Sequence, residues 1–352
     1  MEDPGNTTCG STERPLVSVL VLGFNQERFI RKAVEGAFAQ TWKPLEIVLS
    51  DDCSTDRTFE IMREMAEAYT GPHRIALNRN ERNRGIVGNV NRLMEVSTGA
   101  FVLKFDGDDI SLPERAERSV EAWLGSNGRS KLVFSEVMRV DDDGTILSRT
   151  GVEPEYATVD RPGPLEIIKG PMFALGASSG WSRELFDRFG PIEGSAIVED
   201  TVLPFRAAAI GEIAYLDEPL VLWRTGGSTG RDDSRGAGYA QMYGHGLNYT
   251  RLDLASMRAI ALDIGKVEFA EKAECRRWCD FQIACWEHRR RIAAAAVPER
   301  LAALPRSAWL SLRHRSPYFV TTNLRYVFDG VTMRRLDRKA ARDAEPGGQT
   351  AR

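Results

Sequence analysis

Two apolar-rich runs, Leu45–Leu49 and Phe101–Phe105, each end in a cluster of aspartates, and this repeated arrangement constrains the fold more than any other feature. The first run passes into Asp51 and Asp52, the second into Asp106, Asp108 and Asp109 with only Gly107 between them. Runs of this length predict buried strands. A third run, Val17–Leu22, leads through Gly23 and Phe24 to Asn25, and residues 27–40 after it predict a helix. Strand, helix, strand, with carboxylates at the carboxyl ends, is the order of a parallel α/β sheet, whose ligands bind beyond those ends. Ser54–Asp56 supply cap residues for a helix over 57–69. Asp51/Asp52 and Asp106/Asp108 are therefore expected to face one crevice. Carboxylates so crowded repel one another unless a positive charge sits between them. A hard divalent cation, Mg²⁺ or Mn²⁺, held by one or two carboxylates and by substrate phosphates, meets that need. An isolated Asp-rich loop reads first as an exposed acidic turn; two such clusters at strand ends argue for a nucleotide-and-metal site.

The rest of the chain adds shorter elements. Residues 74–77 predict a strand and 89–97 a helix with Gly99 as C-cap. A further helix is expected over 114–124, then strands 131–140 and 145–148. Asp141-Asp142-Asp143-Gly144 between the last two reads as a hairpin turn before it reads as a calcium loop. Residues 172–181 predict a small-residue strand, 199–209 a helix with Asp200 in its first turn, and 214–223 a strand. The glycine-rich stretch 226–238 reads as a hinge or lid. The expected division is a disordered leader (1–15), an α/β domain (16–235), a helical region (236–333) and a disordered tail (334–352).

Composition narrows the setting. The five cysteines are scattered, without Cys-x-x-Cys spacing, which points to free thiols in a reducing compartment. Cys275 and Cys279 lie one helical turn apart, yet no His or further Cys completes a zinc site. No segment approaches 18 apolar residues, so no transmembrane helix is expected and the location expected is cytoplasmic. The net charge of −3 hides an imbalance, because residues 273–352 carry 16 Lys/Arg against 8 Asp/Glu. With Arg276, Arg277, Arg289–Arg291, Arg313 and Arg315 among Trp278, Phe281, Trp286, Trp309 and Tyr318, this region is expected to meet an anionic membrane face. Packing of those aromatics within the protein is the alternative, and nucleic acid is not an expected partner.

Val17–Asn25, Gln40-Thr41, Glu46–Val48, Asp51–Asp56, Asn83–Gly85, Asp106–Asp109 and Glu199-Asp200, in this order, resemble the signature of the family 2 glycosyltransferases over about residues 16–230. The resemblance implies a GT-A fold, a Rossmann-like mixed sheet flanked by helices, here with a C-terminal helical extension. It implies inverting transfer of a sugar from a UDP or dTDP donor to the hydroxyl of a glycan or lipid-linked acceptor. Carried onto this chain, it puts Leu22, Phe24, Asn25 and Glu27 around the nucleobase and makes Asp52 the acceptor for the base imide N–H. Asn83 belongs to the same nucleotide site, Asp106 reaches ribose and metal, and Asp108 binds the metal. Asp200 is the implied general base, with Glu199 beside it, while Trp181 either stacks on the sugar or packs in the core. Departures are visible: Leu22 and Phe24 replace the more usual polar residue or Pro and Tyr, and Val90 replaces an Arg, for which either Lys104 or Arg84 substitutes at the phosphates or both are solvated surface charges. No His follows Trp223-Arg224 to act as a third metal ligand. The competing readings are a nucleotidyltransferase, which lacks its basic glycine-rich loop here, and a non-catalytic sugar-nucleotide-binding protein.

Overall fold

The computed structural model describes residues 14–149, 162–169, 174–193, 199–224, 254–294 and 297–314, with 320 and 324. Strands β1 (Val17–Gly23), β2 (Leu45–Asp51), β3 (Arg74–Arg79) and β4 (Phe101–Asp106) run parallel, in the spatial order β3-β2-β1-β4. Helices α1 (Ile30–Phe38), α2 (Thr58–Ala68) and α3 (Gly85–Val96) make the crossovers between them. Gly99, expected as a C-cap, is not one. Helix α3 ends at Ser97, whose N–H returns to the Leu93 carbonyl, and Gly99 instead donates its N–H to the Ser18 hydroxyl. A Cβ there would stand 2.5 Å from the Ser18 backbone nitrogen, so the close approach of two segments requires glycine.

Beyond β4 the sheet becomes mixed and curls. The strand β5 (Ile110–Ser111) starts four residues after β4 yet pairs at the opposite edge. Helix α4 (Arg115–Gly125) leads to β6 (Ser130–Val140) and β7 (Ile146–Arg149), joined through Gly144 at φ +90°, as the Asp-Gly signal predicts. After α5 (Pro164–Lys169) a 3₁₀ turn, Gly176–Ser178, precedes β8 (Gly180–Ser182). Of the strand expected over 172–181, residues 174–179 turn and the pairing is confined to Gly180–Ser182, while 172 and 173 lie outside the described residues. Strand β8 lies antiparallel between β4 and β6. Then come α6 (Glu184–Phe189), α7 (Val202–Ile210) and β9 (Glu212–Arg224), which runs parallel to β6 and antiparallel to β5. Helices α8 (residues 254–263), α9 (Lys272–Ala294), α10 (Val297–Ala302) and α11 (Leu304–Arg313) follow. The glycine-rich stretch 226–238, the tail 334–352 and all but two residues of the leader lie outside the described residues.

Strand alternation sorts side chains to two faces. Val17, Val19 and Val21 of β1 and Phe101, Leu103 and Phe105 of β4 share one core with α1, α2 and α4. Leu20, Leu22 and Val102 join the other core with α3, α5, α6 and α7. Met257, Ile260, Ile264, Cys275 and Cys279 belong to this second core, so the C-terminal helices pack on the sheet's helical layer. Burial pushes both thiols up to about 12, which makes them inert core residues. Arg206 of α7 and Asp263 of α8 are fully buried and doubly bonded to each other, at 2.7 and 3.1 Å. Among the described residues no helix is long and apolar enough to cross a membrane.

Candidate active site

Register brings the polar strand ends together: Gly23 of β1 lies opposite Asp51 of β2, and Leu22 opposite Asp106 of β4. The loops beyond are laced to one another. The Asn25 carboxamide, on a backbone at φ +51°, accepts from the Thr55 N–H, while the Asn25 N–H donates to the Ser54 hydroxyl. Asn tolerates this left-handed conformation better than most residues. Glu27 donates its N–H to Asp56 and accepts from the Arg57 N–H, tying its loop to the start of α2. Asp51 accepts from the Ser54 N–H and so caps the turn that leads to α2. Leu22 is buried in the core and meets the site through its carbonyl, which accepts from the Gly107 N–H at 2.8 Å. Phe24, 38% exposed, is the apolar surface on this rim.

Asp52 is buried beside that ring. Its carboxylate accepts from the Asn80 amide and from the backbone N–H groups of Arg84 and Gly85, at 2.8–2.9 Å. A carboxylate has about four lone-pair positions, so one remains for a ligand N–H. Asn83 accepts from the Gly85 N–H and holds Gly85 at φ +70°, shaping the loop around Asp52.

The acidic loop after β4 brings three carboxylates together. Gly107 makes the tight passage possible, since a Cβ there would meet the Leu22 carbonyl at 2.7 Å. Burial, then the neighbouring charge of Asp106, raises the Asp108 carboxyl above its ordinary value; Asp109 is raised further by burial and by both neighbours. Asp109 accepts from the Arg224 N–H, and the Arg224 guanidinium donates to the carbonyls of Asp108, Asp141 and Asp142. The curl of the sheet delivers Arg224 here, because β9 runs past β5 to end against this loop. Among the described residues no group of three or more His, Cys, Asp or Glu converges as a metal cage. What the loop provides is Asp106 and Asp108, mutually repelling and half-exposed, which fits a cation shared with a ligand's phosphates.

Lys104 corrects the sequence reading. It is neither a solvated charge nor free for a phosphate, but is buried among the carboxylates. Its ammonium lies 3.3 Å from Asp106 and in direct contact with Glu199. Alternation along β4 explains the placement, since Val102, Lys104 and Asp106 share the face turned to α7. Burial opposes the ammonium charge, but Asp106, Glu199 and Asp200 together raise the Lys104 pKa. Burial likewise pushes Glu199 up, and Lys104 outweighs it and holds that carboxylate below its ordinary range. Asp200 behaves oppositely: burial first, then the Glu199 charge, raise it well above the ordinary value, with Lys104 offsetting only part.

Glu199 and Asp200 sit in the turn before α7, which begins at Val202, and not in its first turn. Space for Asp200 comes from Gly176, where a Cβ would lie 2.0 Å from Oδ1 of Asp200. That Oδ1 is enclosed and without a hydrogen-bond partner among the described residues. Trp181 is fully buried between β4 and β6, so core packing is its role and sugar stacking is excluded. Arg115, also fully buried and lowered to about 10 by burial, donates to the carbonyls of Lys104 and Ser179 and fixes β4 from beneath. Arg84 stands at the start of α3 and enters the site through its N–H to Asp52.

Comparison with known proteins agrees with this geometry. Residues 18–168 match the family described as Glycosyl transferase family 2. The chain is 33% identical over 130 residues to the putative glycosyltransferase EpsE of Bacillus subtilis, covering 37% of this chain and 46% of the relative. It is 31% identical over 140 residues to an uncharacterised glycosyltransferase of Methanocaldococcus jannaschii, covering 39% and 47%. The chain thus spans about half the length of these curated relatives. Among solved structures, Staphylococcus aureus TarS 1–349 in complex with UDP-GlcNAc superposes with a TM-score of 0.57 at 18% identity, covering 91% of each chain. The mannosyltransferase PcManGT of Pyrobaculum calidifontis, in complex with GDP-Man and Mn²⁺, gives 0.51 at 20% identity, covering 91% and 87%. The architecture is therefore that of the GT-A glycosyltransferases.

Proposed function

We propose that this chain, whose residues 18–168 match the family described as Glycosyl transferase family 2, transfers a sugar with inversion from a nucleoside-diphosphate donor to an acceptor hydroxyl. The observation that carries the reading is one rim shared by two kinds of carboxylate. Asp52, Asp106 and Asp108 stand at the ends of β2 and β4, the two parallel strands that flank β1, and Lys104 links Asp106 to the Glu199-Asp200 turn.

In this reading Phe24 stacks on the base and the remaining lone pair of Asp52 accepts its imide N–H, which favours UDP or dTDP. A hydrogen bond to a charged acceptor contributes about 1.5–3 kcal/mol, enough to select a base. Leu22 and Glu27 hold the base loop, and Asn83 shapes the turn that aims Asp52. Asp106 and Asp108 would hold Mg²⁺ or Mn²⁺ against the diphosphate. Such a cation neutralises the charge that develops on the leaving group. Asp200 accepts the proton of the acceptor hydroxyl as that oxygen attacks the anomeric carbon opposite the diphosphate. Its raised pKa suits the task, since a base works best when its pKa lies near the working pH. Glu199, kept ionised by Lys104, sustains that shift. The acceptor class is a glycan or a lipid-linked glycan.

A thermal-shift panel of UDP, dTDP and GDP sugars with and without Mn²⁺ tests the donor half. A ligand that binds the folded state raises the melting temperature by mass action. The expected result is a Mn²⁺-dependent shift with a uracil or thymine nucleotide that Asp108→Ala removes without lowering the unliganded melting temperature. An equal shift in Asp108→Ala would assign the cation elsewhere.

A further inference from the structure

Helix α11 presents its broader apolar stripe to solvent. Pro305, Ala308, Trp309 and Leu312 are all exposed and fall at i, i+3, i+4 and i+7, one face of a helix. Trp309 is 55% exposed and Leu312 79%, with Leu301, 48% exposed, just upstream. The helix touches the protein through a narrow opposite edge, where Ser307 and Leu310 are buried. An amphipathic helix of a globular protein ordinarily does the reverse.

The segment that carries the stripe has charge of one sign. Between Glu299 and Asp329 the sequence contains no Asp or Glu, and it contains Arg300, Arg306, Arg313, Arg315 and Arg325. Arg306 and Arg313 are exposed on α11, and the Arg313 guanidinium lies 5.3 Å from the centre of the Trp309 ring. Among the described residues, Trp278, Phe281 and Trp286 do not share this exposure, and Tyr318 lies outside them. Trp278 donates its indole N–H to the Ile168 carbonyl at 3.0 Å and packs on Phe281, which packs in turn on His314. The membrane expectation therefore shrinks from the whole C-terminal region to one helix face.

We propose that α11 is an in-plane anchor that seats the protein on an anionic lipid surface, with Trp309 and Leu312 in the headgroup–acyl boundary and Arg306 and Arg313 on the lipid phosphates. A bilayer interface supplies apolar depth and negative charge on the same side, which is the combination this face presents. Trp is suited to that boundary because its ring is apolar with a polar edge. The helix is ~15 Å long, too short to span and long enough to lie flat. A two-fold contact of this face with a second copy fits less well, since Arg306 and Arg313 would be brought against their own counterparts with no Asp or Glu in residues 300–328 to pair with. The proposal does not depend on the sugar chemistry, so either can fail alone.

Co-sedimentation of the full chain with vesicles decides it. One set contains equal parts phosphatidylglycerol and phosphatidylcholine, the other phosphatidylcholine alone, both at low salt. The expected result is binding to the anionic vesicles, little to the neutral ones, and a loss of at least about tenfold in affinity for Trp309→Ala/Leu312→Ser. Arg306→Ser/Arg313→Ser is expected to lose about as much and to flatten the salt dependence. Melting temperatures equal to the parent's show that each variant is folded. Absence of binding by the parent, or equal binding by the Trp309/Leu312 variant, overturns the proposal. So does light scattering that shows a dimer in the parent and a monomer in that variant, which would make the face a self-contact.

Discussion

Gly176 and Lys104 do the least conspicuous work at the site, and both are buried. Gly176→Ala places a methyl group 2.0 Å from Oδ1 of Asp200, so the carboxylate must move. A displacement of about 1 Å at a catalytic group can cost about 10²-fold in rate. The expected outcome is a fall in kcat of that order, with donor affinity unchanged by calorimetric titration. Lys104→Met removes the positive charge that partly offsets the rise in the Asp200 pKa. A general base must be unprotonated, so activity falls as pH drops through that pKa. Without Lys104 the adjacent Glu199-Asp200 carboxylates together hold their proton to higher pH, and the acid limb of the kcat/KM profile is expected to move to higher pH. A limb that stays in place, or moves down, would remove Lys104 from the electrostatics of the base. Sequence could have flagged Lys104, since it shares strand parity with Asp106. It could not have flagged Gly176, because nothing local ties residue 176 to residue 200.

At the scale of elements, the helix that follows the Glu199-Asp200 turn is clamped to α8. Arg206 leaves α7 to bond Asp263 of α8 and the carbonyls of Gly190 and Pro191. Breaking a buried ion pair on one side typically costs about 3–5 kcal/mol, because the remaining charge is left unpaired. Asp263→Ala is expected to lose stability of that order in urea denaturation, and Arg206→Met/Asp263→Leu to lose less than that single substitution. Equal losses would mean that packing, not the stranded charge, sets the cost. Elements with strong periodic patterns were legible beforehand: β1, β2, β4, their helices and the 141–144 turn follow from apolar runs and Asp-Gly chemistry. The segment 172–181 was misread because a run of small residues serves a strand and a tight turn equally well. Its turn is fixed by the approach of Asp200, a long-range contact that local pattern does not carry. Trp181 was open for the same reason: a Trp is suited to a sugar face and to a core, and burial between β4 and β6 decides it.

For the whole molecule, the curled sheet explains why carboxylates far apart in sequence act together. The parallel half puts Asp52, Asp106 and Asp108 on one rim, and the curled half returns Arg224 to the back of the acidic loop. The Asp200 turn closes the same rim through Lys104. Donor binding and proton removal are thus assigned to opposite sides of one buried lysine, and they are separable by experiment. The measurement is turnover and donor affinity of Asp200→Asn in Mn²⁺, followed by release of nucleoside diphosphate from the sugar nucleotide that stabilises the parent. The account predicts donor affinity within about twofold of the parent and turnover reduced by about 10²–10⁴-fold, the usual loss for a general base. Turnover at the parent rate would contradict it, because the proton would then leave to a group other than Asp200.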